Sequence, residues 1–246
     1  MFRYQILIEY IGTSFLGWQI QKKGKTVQGL IQKKLSKILN EKITIIGSGR
    51  TDAGVHAIGQ SAHFNSKKKI QNLSKFLKSI NYFLNKHEIA ILKVKKRKIN
   101  FHARFSAKER IYKYIILNQL TKPILDKNRG WFVIKSLDLD NMKKGAKKLI
   151  GNKDFSTFRA SGCNAKSPIK SIKSVKIKKK KNKIEIEFRS QSFLKQQVRS
   201  MVGCLKYIGE KKWTVNKFVN VINSKNRNLC APPAPPEGLF LVKVLY

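Results

Sequence analysis

Two hydrophobic periods alternate along the first half of the chain and restrict it to folds that mix strands with helices. Apolar side chains recur at every second position in residues 4–10, as in a strand with one buried face. They recur at helical spacing in residues 27–39, directly after Thr26, a residue type that caps helix N-termini. The patterns that follow predict a strand, a return strand, a helix and a strand, at residues 43–46, 60–64, 73–84 and 89–94. Their order, β-α-β-β-α-β, is that of the ferredoxin-like fold.

The second half shows the same mixture of patterns, although no sequence repeat relates it to the first. The predicted elements are a strand at 111–117, a helix at 139–150, a hairpin of 171–177 with 184–190, helices at 193–208 and 213–222, and a strand at 239–245. We therefore predict an α+β chain of two ferredoxin-like (RRM-like) halves, residues 1–107 and 108–246. Their mixed antiparallel sheets are expected to be joined edge to edge, with helices on one face and the other face left free.

The charge balance indicates a polyanionic partner. Lysine and arginine number 53 against 13 acidic residues, which gives a formal net charge of +40. Such a surface repels itself unless phosphates or counterions screen it, so nucleic acid is the expected partner. The free sheet faces are then expected to form an RNA-binding cleft. Part of the lysine excess can also reflect compositional bias.

Other function classes find little support in the sequence. The three cysteines are far apart and odd in number, which favours neither a disulfide framework nor a zinc site. None of the four histidines belongs to a metal-binding pair at helical spacing, so we expect structural histidines and no metal. No apolar run approaches 18 residues and no signal-peptide pattern is present. We expect a soluble cytoplasmic protein without a membrane partner.

Asp52 is the candidate for chemistry. It is the only acidic residue between Glu41 and Glu88, and it lies beside Arg50 in a glycine-rich segment, residues 47–59. A cation within a few Å lowers a carboxylate pKa by about 1 to 3 units, so Asp52 is expected to be ionised, as a nucleophile or base must be. The alternative interpretation is an ordinary turn-forming aspartate whose side chain bonds nearby amides.

The surroundings of Asp52 favour the catalytic interpretation. Gly47, Gly49 and Gly54 are expected to take positive φ and to allow a substrate to approach closely. Strands are predicted on both sides of the segment, so the aspartate lies in a strand-end bend. Rigid scaffolds often present catalytic groups at such positions.

Two further segments combine arginine with aromatic or apolar residues. Residues 101–105, Phe-His-Ala-Arg-Phe, lead toward Tyr112, and this alternation suits a strand whose cations meet phosphates while a ring stacks on a base. Alternating aromatics in a strand can equally be core. Arg199 lies within the apolar stripe of the helix at 193–208, where a buried guanidinium needs an anion, and Asp52 is the natural one. An arginine at the edge of the stripe would instead reach solvent.

Five sequence blocks, taken together, carry a family resemblance. They are Gly-Arg-Thr-Asp-Ala-Gly-Val-His-Ala at 49–57, Phe-His-Ala-Arg-Phe at 101–105, Asp-Phe-Ser-Thr-Phe-Arg at 154–159, Val-Arg-Ser-Met-Val-Gly at 198–203 and Glu-Gly-Leu-Phe at 237–240. In these blocks and in their order the chain resembles the tRNA pseudouridine synthase A (TruA) family. The similarity runs from Tyr4 to about Val244, and the nine-residue aspartate block is its most specific part.

The resemblance implies an isomerase that converts uridine to pseudouridine at positions 38, 39 and 40, in the anticodon arm of tRNA. It also implies a homodimer that needs no cofactor. By motif, Asp52 matches the family's nucleophile and Tyr112 the tyrosine stacked on the target uracil. Arg199 matches the arginine paired with the catalytic carboxylate, and Arg50 the arginine that helps to extrude the base.

The residues leave the mechanism and two rival functions open. A single carboxylate could attack C1′ or C6, or remove the ribose 2′-proton to release a glycal. Glycoside hydrolases need paired carboxylates, and Asp52 has no acidic neighbour in sequence. One rival is a noncatalytic basic RNA-binding protein or RNA chaperone, and the other is a synthase of this fold that acts on another RNA.

Overall fold

The computed structural model describes all 246 residues and confirms a mixed α+β chain. Its ten strands are β1 Phe2–Tyr10, β2 Ile45–Gly47, β3 His56–Ser66, β4 Ile89–Arg97, β5 Glu109–Asn118, β6 Trp131–Val133, β7 Gly151–Asp154, β8 Ile169–Lys180, β9 Lys183–Ser190 and β10 Leu239–Leu245. Its five α-helices are α1 Val27–Leu39, α2 Leu73–Leu84, α3 Leu139–Lys148, α4 Gln197–Gly209 and α5 Val215–Asn223. The predicted β-α-β-β-α-β order of the first half is confirmed.

The chain divides into two compact units that differ from the predicted halves at the C-terminus. The first unit is Met1–Lys108 together with Phe240–Tyr246, and the second is Glu109–Leu239. The last strand therefore lies with the N-terminal elements, whereas the sequence suggested that it closes the second half. In the first unit β10 runs parallel to β3, with Phe240 opposite His56.

The sheet of the first unit is built around β1. This strand pairs antiparallel with β3 and with β4, and β2 adds a short antiparallel ladder to β3. The alternating residues Tyr4, Ile6, Ile8 and Tyr10 are at most 3% exposed, which confirms the period-two pattern of a strand with one buried face.

A side-chain cap marks the start of both helices in this unit, and the cap at Thr26 is the predicted one. The Thr26 side chain accepts a hydrogen bond from the Gly29 amide at 3.3 Å at the start of α1, and Asn72 caps Lys75 in the same way at 2.8 Å before α2. Each helix buries one stripe, as its apolar spacing predicts. The buried residues are Val27, Ile31 and Leu35 in α1, and Phe76, Ile80 and Leu84 in α2.

The strands of the second unit lie in the order β5-β9-β8-β7, with β6 parallel to β5. Helices α3, α4 and α5 pack on one another, and α3 also packs on β8. Gly145 of α3 allows a close approach, because a Cβ there would lie 2.6 Å from the Ile208 side chain of α4. The predicted hairpin is confirmed, and Lys181, at a φ of 54°, forms its turn with Asn182.

The observed elements differ in several details from the predicted ones. Helix α4 begins at Gln197 rather than at residue 193, because the preceding Gln196 has a left-handed φ of 59°. The short strands β6 and β7 carry no alternating pattern and were not predicted. Residues 101–105 form a turn instead of a strand, since the Ser106 amide donates to the His102 carbonyl at 2.8 Å and the His102 amide to Ser106 Oγ at 2.9 Å.

Two kinds of feature are not found among the described residues. No helix combines the length and apolarity that a membrane crossing requires. No cluster of three or more histidine, cysteine, aspartate or glutamate side chains is arranged to hold a metal ion.

Candidate active site

Asp52 lies on the bend between β2 and β3 in the first unit. Its side chain is half-buried, its neighbours Arg50 and Ala53 are exposed, and Thr51 and Val55 are buried. The bend is therefore held by some of its residues, while Asp52 itself is partly exposed. Arg50 and Asp52 share this bend, as their sequence spacing requires.

The first part of the bend is fixed by a buried polar network. Ser48 Oγ donates to Gln60 Oε1 at 2.8 Å, and Gln60 Nε2 donates to the Gly49 carbonyl at 2.9 Å. The Ser48 amide donates to the Ser61 carbonyl at 2.7 Å. Ser48, Gln60 and Ser61 are each at most 1% exposed. A satisfied network in this low-dielectric setting makes the bend rigid.

The residues on either side of Asp52 are also held. Tyr10 Oη and Thr51 Oγ1 share a buried hydrogen bond of 2.8 Å, and the Trp18 amide donates to the Thr51 carbonyl at 3.1 Å. On the other side, the Val55 amide donates to the Asp52 carbonyl at 3.2 Å. The backbone of Asp52 is thus constrained from both directions.

Two of the three glycines in the bend do not have the backbone conformation that the sequence predicted. Only Gly54 has a positive φ, 78°, so the predicted left-handed conformation at Gly47 and Gly49 is wrong. Gly47 is required for packing instead, because a Cβ there would lie 2.6 Å from the Trp18 ring. The absence of a side chain at Gly47 leaves room for the Trp18 indole to pack against the start of the bend.

Three of the four histidines accept backbone hydrogen bonds and are structural. The Gly12 amide donates to His56 Nδ1 at 3.0 Å, and the Ala103 amide donates to His63 Nδ1 at 3.1 Å. The Arg104 amide donates to His102 Nδ1 at 3.1 Å. Burial, followed by the charges of Arg3 and His102, lowers the pKa of His63 to about 4. His63 is therefore neutral at physiological pH.

Tyr112 lies in β5 of the second unit, on the buried side of that strand. It is 8% exposed, and its ring meets Phe193 edge to face, with centroids 5.3 Å apart. The next tyrosine on the same side, Tyr114, is fully buried and donates its hydroxyl to the Pro235 carbonyl at 2.8 Å. Burial raises the pKa of Tyr114, so that side chain stays protonated.

Arg199 lies in the first turn of α4 and is half-buried, between the buried residues Val198 and Ser200. Its Nε donates to the Ala234 carbonyl at 2.7 Å, and the Ala234 amide donates to the Arg199 carbonyl at 3.0 Å. The first bond orients the guanidinium group, and the second holds the Arg199 backbone against Ala234. Two of the four predicted site residues, Tyr112 and Arg199, thus lie in the second unit, and Arg50 and Asp52 lie in the first.

Sequence reasoning missed the residues that support the Asp52 bend. Tyr10 had the pattern of a strand residue, and Trp18 and Gln60 carried no signal of their own. Their proximity to the bend comes from the pairing of β1 with β3 and from the loop after β1, which a single sequence does not reveal.

Each unit also carries a basic sheet surface. In the first unit a shallow groove is lined by Gln5, Leu7, Lys93, Lys95 and Arg97. In the second unit the lining residues are Lys113, Lys176, Lys178, Lys180, Glu185 and Glu187. Exposed cations in such rows are suited to phosphate contacts.

Comparison with known proteins gives one consistent result. The family described as tRNA pseudouridine synthase matches residues 6–106 and 146–246. The protein named tRNA pseudouridine synthase A of Pelagibacter ubique is 70% identical over 246 residues, the full length of both chains. Proteins of the same name from Parvibaculum lavamentivorans and Paramagnetospirillum magneticum are 41% and 42% identical over 244 residues, which is 99% of this chain and 99% and 95% of theirs.

Proposed function

The chain belongs to the tRNA pseudouridine synthase family, and we propose that it isomerises uridine at positions 38, 39 and 40 of the anticodon stem and loop with Asp52 as its nucleophile. The observation that carries this assignment of Asp52 is its half-buried carboxylate on a bend whose backbone is held on both sides. A fixed backbone with an accessible carboxylate is what a preorganised nucleophile needs.

The reaction requires no external reactant. The bond between N1 and C1′ breaks, the uracil turns, and a bond forms between C5 and C1′. The hydrogen on C5 leaves as a proton and N1 takes one up, so the atoms balance. Asp52 can attack C1′ or C6, or remove the 2′-proton, and each of these routes uses the same ionised carboxylate.

The other three residues are proposed to prepare the substrate and the nucleophile. Removing a base from its stack costs a few kcal/mol, and stacking on Tyr112 would return about 1 to 3 kcal/mol. Arg50, exposed on the bend, is proposed to help extrude the base. Arg199 is proposed to pair with the Asp52 carboxylate, since a guanidinium already oriented by Ala234 loses little further freedom on binding an anion.

The central experiment measures tritium release from tRNA that carries 5-tritiated uridine. Asp52→Ala is expected to keep tRNA affinity within about threefold and to lower release by roughly 10⁴-fold or more. Asp126→Asn is the matched control, because it removes a surface carboxylate that pairs with Lys183 at 2.7 Å in the second unit. Unchanged release by Asp52→Ala would remove the nucleophile assignment, and wild-type protein that binds tRNA without release would be a noncatalytic RNA-binding protein.

The positions modified are tested separately. Transcripts with a single uridine at position 38, 39 or 40 are each expected to gain one pseudouridine, while a transcript without uridine at these positions gains none. Modification only at other positions or in other RNAs would make this a synthase of different specificity.

We also propose that the protein works as a homodimer. The support is the family resemblance, so the assembly needs its own measurement. Light scattering is expected to give twice the chain mass of 28.3 kDa, and a value near 28.3 kDa would contradict the proposal.

The proposed compartment is the cytoplasm. All three cysteines are free thiols, which suits a reducing compartment. Cell fractionation is expected to recover the protein with soluble tRNA-processing enzymes, and recovery with membranes would contradict this.

A further inference from the structure

Tyr10 ends strand β1 directly behind the Asp52 bend and is not among the four proposed site residues. It is 3% exposed, and its hydroxyl lies 2.8 Å from Thr51 Oγ1, one residue before the proposed nucleophile. We propose that Tyr10 is a positioning residue, which holds the Asp52 carboxylate in its reactive orientation through Thr51. This proposal rests on the proposed function of Asp52.

Thr51 is held through both its side chain and its main chain. Its side chain is bonded to Tyr10, and its carbonyl accepts from the Trp18 amide at 3.1 Å. Gly17, at a φ of +91°, lies so close that a Cβ there would be 2.5 Å from the same carbonyl oxygen. Thr51 is thereby fixed at its side chain by strand β1 and at its main chain by the loop that follows β1.

Holding Thr51 in place also constrains Asp52, the next residue along the chain. Asp52 shares a peptide plane with Thr51, and the Val55 amide holds its own carbonyl at 3.2 Å. Without the Tyr10 hydroxyl, the Thr51 side chain loses a buried partner and can rotate. A displacement of the carboxylate by about 1 Å can cost roughly 100-fold in rate without any change in the groups that bind substrate.

The same strand offers a matched control. Tyr4 is also a buried β1 tyrosine, 1% exposed, and its hydroxyl accepts from the Ile70 amide at 2.8 Å. Tyr4→Phe therefore removes one hydroxyl hydrogen bond of a buried β1 tyrosine, as Tyr10→Phe does, but at the opposite end of the strand. Both variants are expected to lose similar thermal stability.

The test compares kcat and KM for tritium release. Tyr10→Phe is expected to lower kcat by about 10- to 100-fold while KM for tRNA stays within about twofold, and Tyr4→Phe keeps both values. Thr51→Val should match Tyr10→Phe, the double variant should be no slower than either, and Thr51→Ser should retain activity. A wild-type kcat in Tyr10→Phe, or an equal loss in Tyr4→Phe, would overturn the proposal.

A second readout separates this proposal from the proposed function. Hydrogen exchange of peptides covering residues 51–55 is expected to be faster in Tyr10→Phe than in Tyr4→Phe, whether or not the protein is active on tRNA. Equal exchange in both variants would overturn the positioning role, whereas wild-type protein without tritium release would count against the function alone.

Cys204 and Cys230 in the second unit are free thiols whose sulfurs lie 3.5 Å apart. Cys204, in α4, is fully buried, and Cys230, in the segment that follows α5, is partly exposed. We infer that this pair is a redox-convertible dithiol, and that its disulfide lowers the activity of the enzyme. The inference on activity rests on the proposed function, whereas disulfide formation does not.

The segment that contains Cys230 lies along α4 toward Arg199. Arg227 Nη1 donates to Ser200 Oγ at 2.8 Å, and Arg199 Nε donates to the Ala234 carbonyl at 2.7 Å. Between them, a Cβ on Gly203 would lie 2.1 Å from the Pro232 carbonyl oxygen. Because this contact leaves little slack, we expect that drawing the sulfurs to a bond length of about 2 Å shifts neighbouring parts of the segment, including the Ala234 carbonyl that Arg199 contacts.

The chemistry of the pair suits exchange with a low-molecular-weight disulfide. The hydrogen bond with Cys204, together with the Arg227 charge, lowers the pKa of Cys230, while that same hydrogen bond and burial raise the pKa of Cys204. The Cys230 thiolate attacks glutathione disulfide and releases one glutathione. Cys204 then gives up its proton and attacks the Cys230 sulfur, which releases the second glutathione. Two protein thiols are oxidised and one glutathione disulfide is reduced.

The experiment incubates the protein with glutathione disulfide and counts thiols. We expect two of the three to be lost, an intact mass lower by two hydrogen atoms, and a peptide link between Cys204 and Cys230. Activity should fall by roughly 10-fold and return with a dithiol reductant. Cys204→Ala is expected to remain active under the same treatment, and Cys163→Ser to respond like wild type. A glutathione adduct that never closes, or a closed disulfide with full activity, would overturn the inference.

Discussion

At the scale of single residues, Gly47 shows that a glycine beside a reactive group can be required for space rather than for backbone conformation. A Cβ at this position would lie 2.6 Å from two atoms of the Trp18 ring. Gly47→Ala is therefore expected to lower the free energy of unfolding by about 1 to 3 kcal/mol, as overpacking does. Urea unfolding of both proteins measures the difference.

The control for that prediction is a double-mutant cycle with Trp18→Leu. Replacing the indole makes room, so Gly47→Ala should cost less than about 1 kcal/mol in the Trp18→Leu background. Equal costs in the two backgrounds would mean that the indole is not the obstacle.

His63 predicts a pH dependence of stability. It is 2% exposed, and burial lowers its pKa to about 4 from a usual value near 6.5. The unfolded chain therefore binds a proton at higher pH than the folded chain. The stabilisation is fully present above about pH 6.5 and is lost as the pH falls toward about 4.

The measurement compares wild type with His63→Asn, whose amide oxygen can still accept from the Ala103 amide. Between about pH 7 and pH 5, the free energy of unfolding of wild type should fall by about 2 kcal/mol more than that of the variant. Parallel curves for the two proteins would show that His63 does not titrate as inferred.

At the scale of elements, the β8–β9 hairpin contains a strained turn residue. Lys181 has a φ of 54°, a left-handed conformation that costs a non-glycine residue about 1 kcal/mol. Lys181→Gly is expected to raise the free energy of unfolding by about 0.5 to 1 kcal/mol. The matched control is Lys180→Gly, which removes the same charge at the end of β8 and should be destabilising. Thermal unfolding that ranks the two variants in the opposite order would contradict the assignment of strain.

Local sequence features, namely capping residues and apolar spacing, explain which elements could be predicted. Helices α1 and α2 have the predicted ranges, 27–39 and 73–84, because their apolar spacing is regular and Thr26 marks the start of α1. The start of α4 was predicted four residues early, since a left-handed Gln196 interrupts an apolar run without any glycine to mark it. Strand β6, with three residues, is too short for a period of two to be visible.

At the scale of the whole molecule, long-range pairing limits what a sequence reveals. The pattern of β10 predicts a strand, but nothing in it indicates that its partner is β3, whose residue His56 pairs with Phe240 across most of the chain. Asp52 could be proposed from its isolation and its glycine-rich segment. The residues that hold it, Tyr10 and Gln60, could not, because they reach the bend only through the folded sheet.

The net charge of +40 gives the last prediction, which concerns how tRNA binding depends on salt. Each phosphate that is neutralised releases counterions, so the logarithm of the binding constant falls linearly with the logarithm of salt concentration. The Asp52→Ala variant should have the wild-type slope, because the slope counts phosphate contacts and not catalytic groups. A changed slope would mean that Asp52 influences RNA binding as well.

The exposed lysines of β8 distinguish specific contacts from a diffuse cationic surface. Lys176 and Lys178 are exposed and alternate with the buried Val175 and Ile177, and Lys180 continues the row. Replacing the three lysines by glutamine is expected to reduce the salt slope by about 2 to 3, since each phosphate contact contributes roughly 0.7 to 0.9. Filter binding of tRNA over a range of potassium chloride concentrations measures the slope.

The control removes an equal charge elsewhere, at the exposed residues Lys67, Lys68 and Lys69. If the β8 row contacts phosphates, only the β8 variant should lose slope, while both variants keep their thermal stability. If the salt dependence of tRNA binding falls equally in both variants, the lysines act together through long-range attraction. The β8 lysines then make no specific phosphate contacts in the complex. That outcome would assign the lysine excess to steering of the RNA rather than to its docked position.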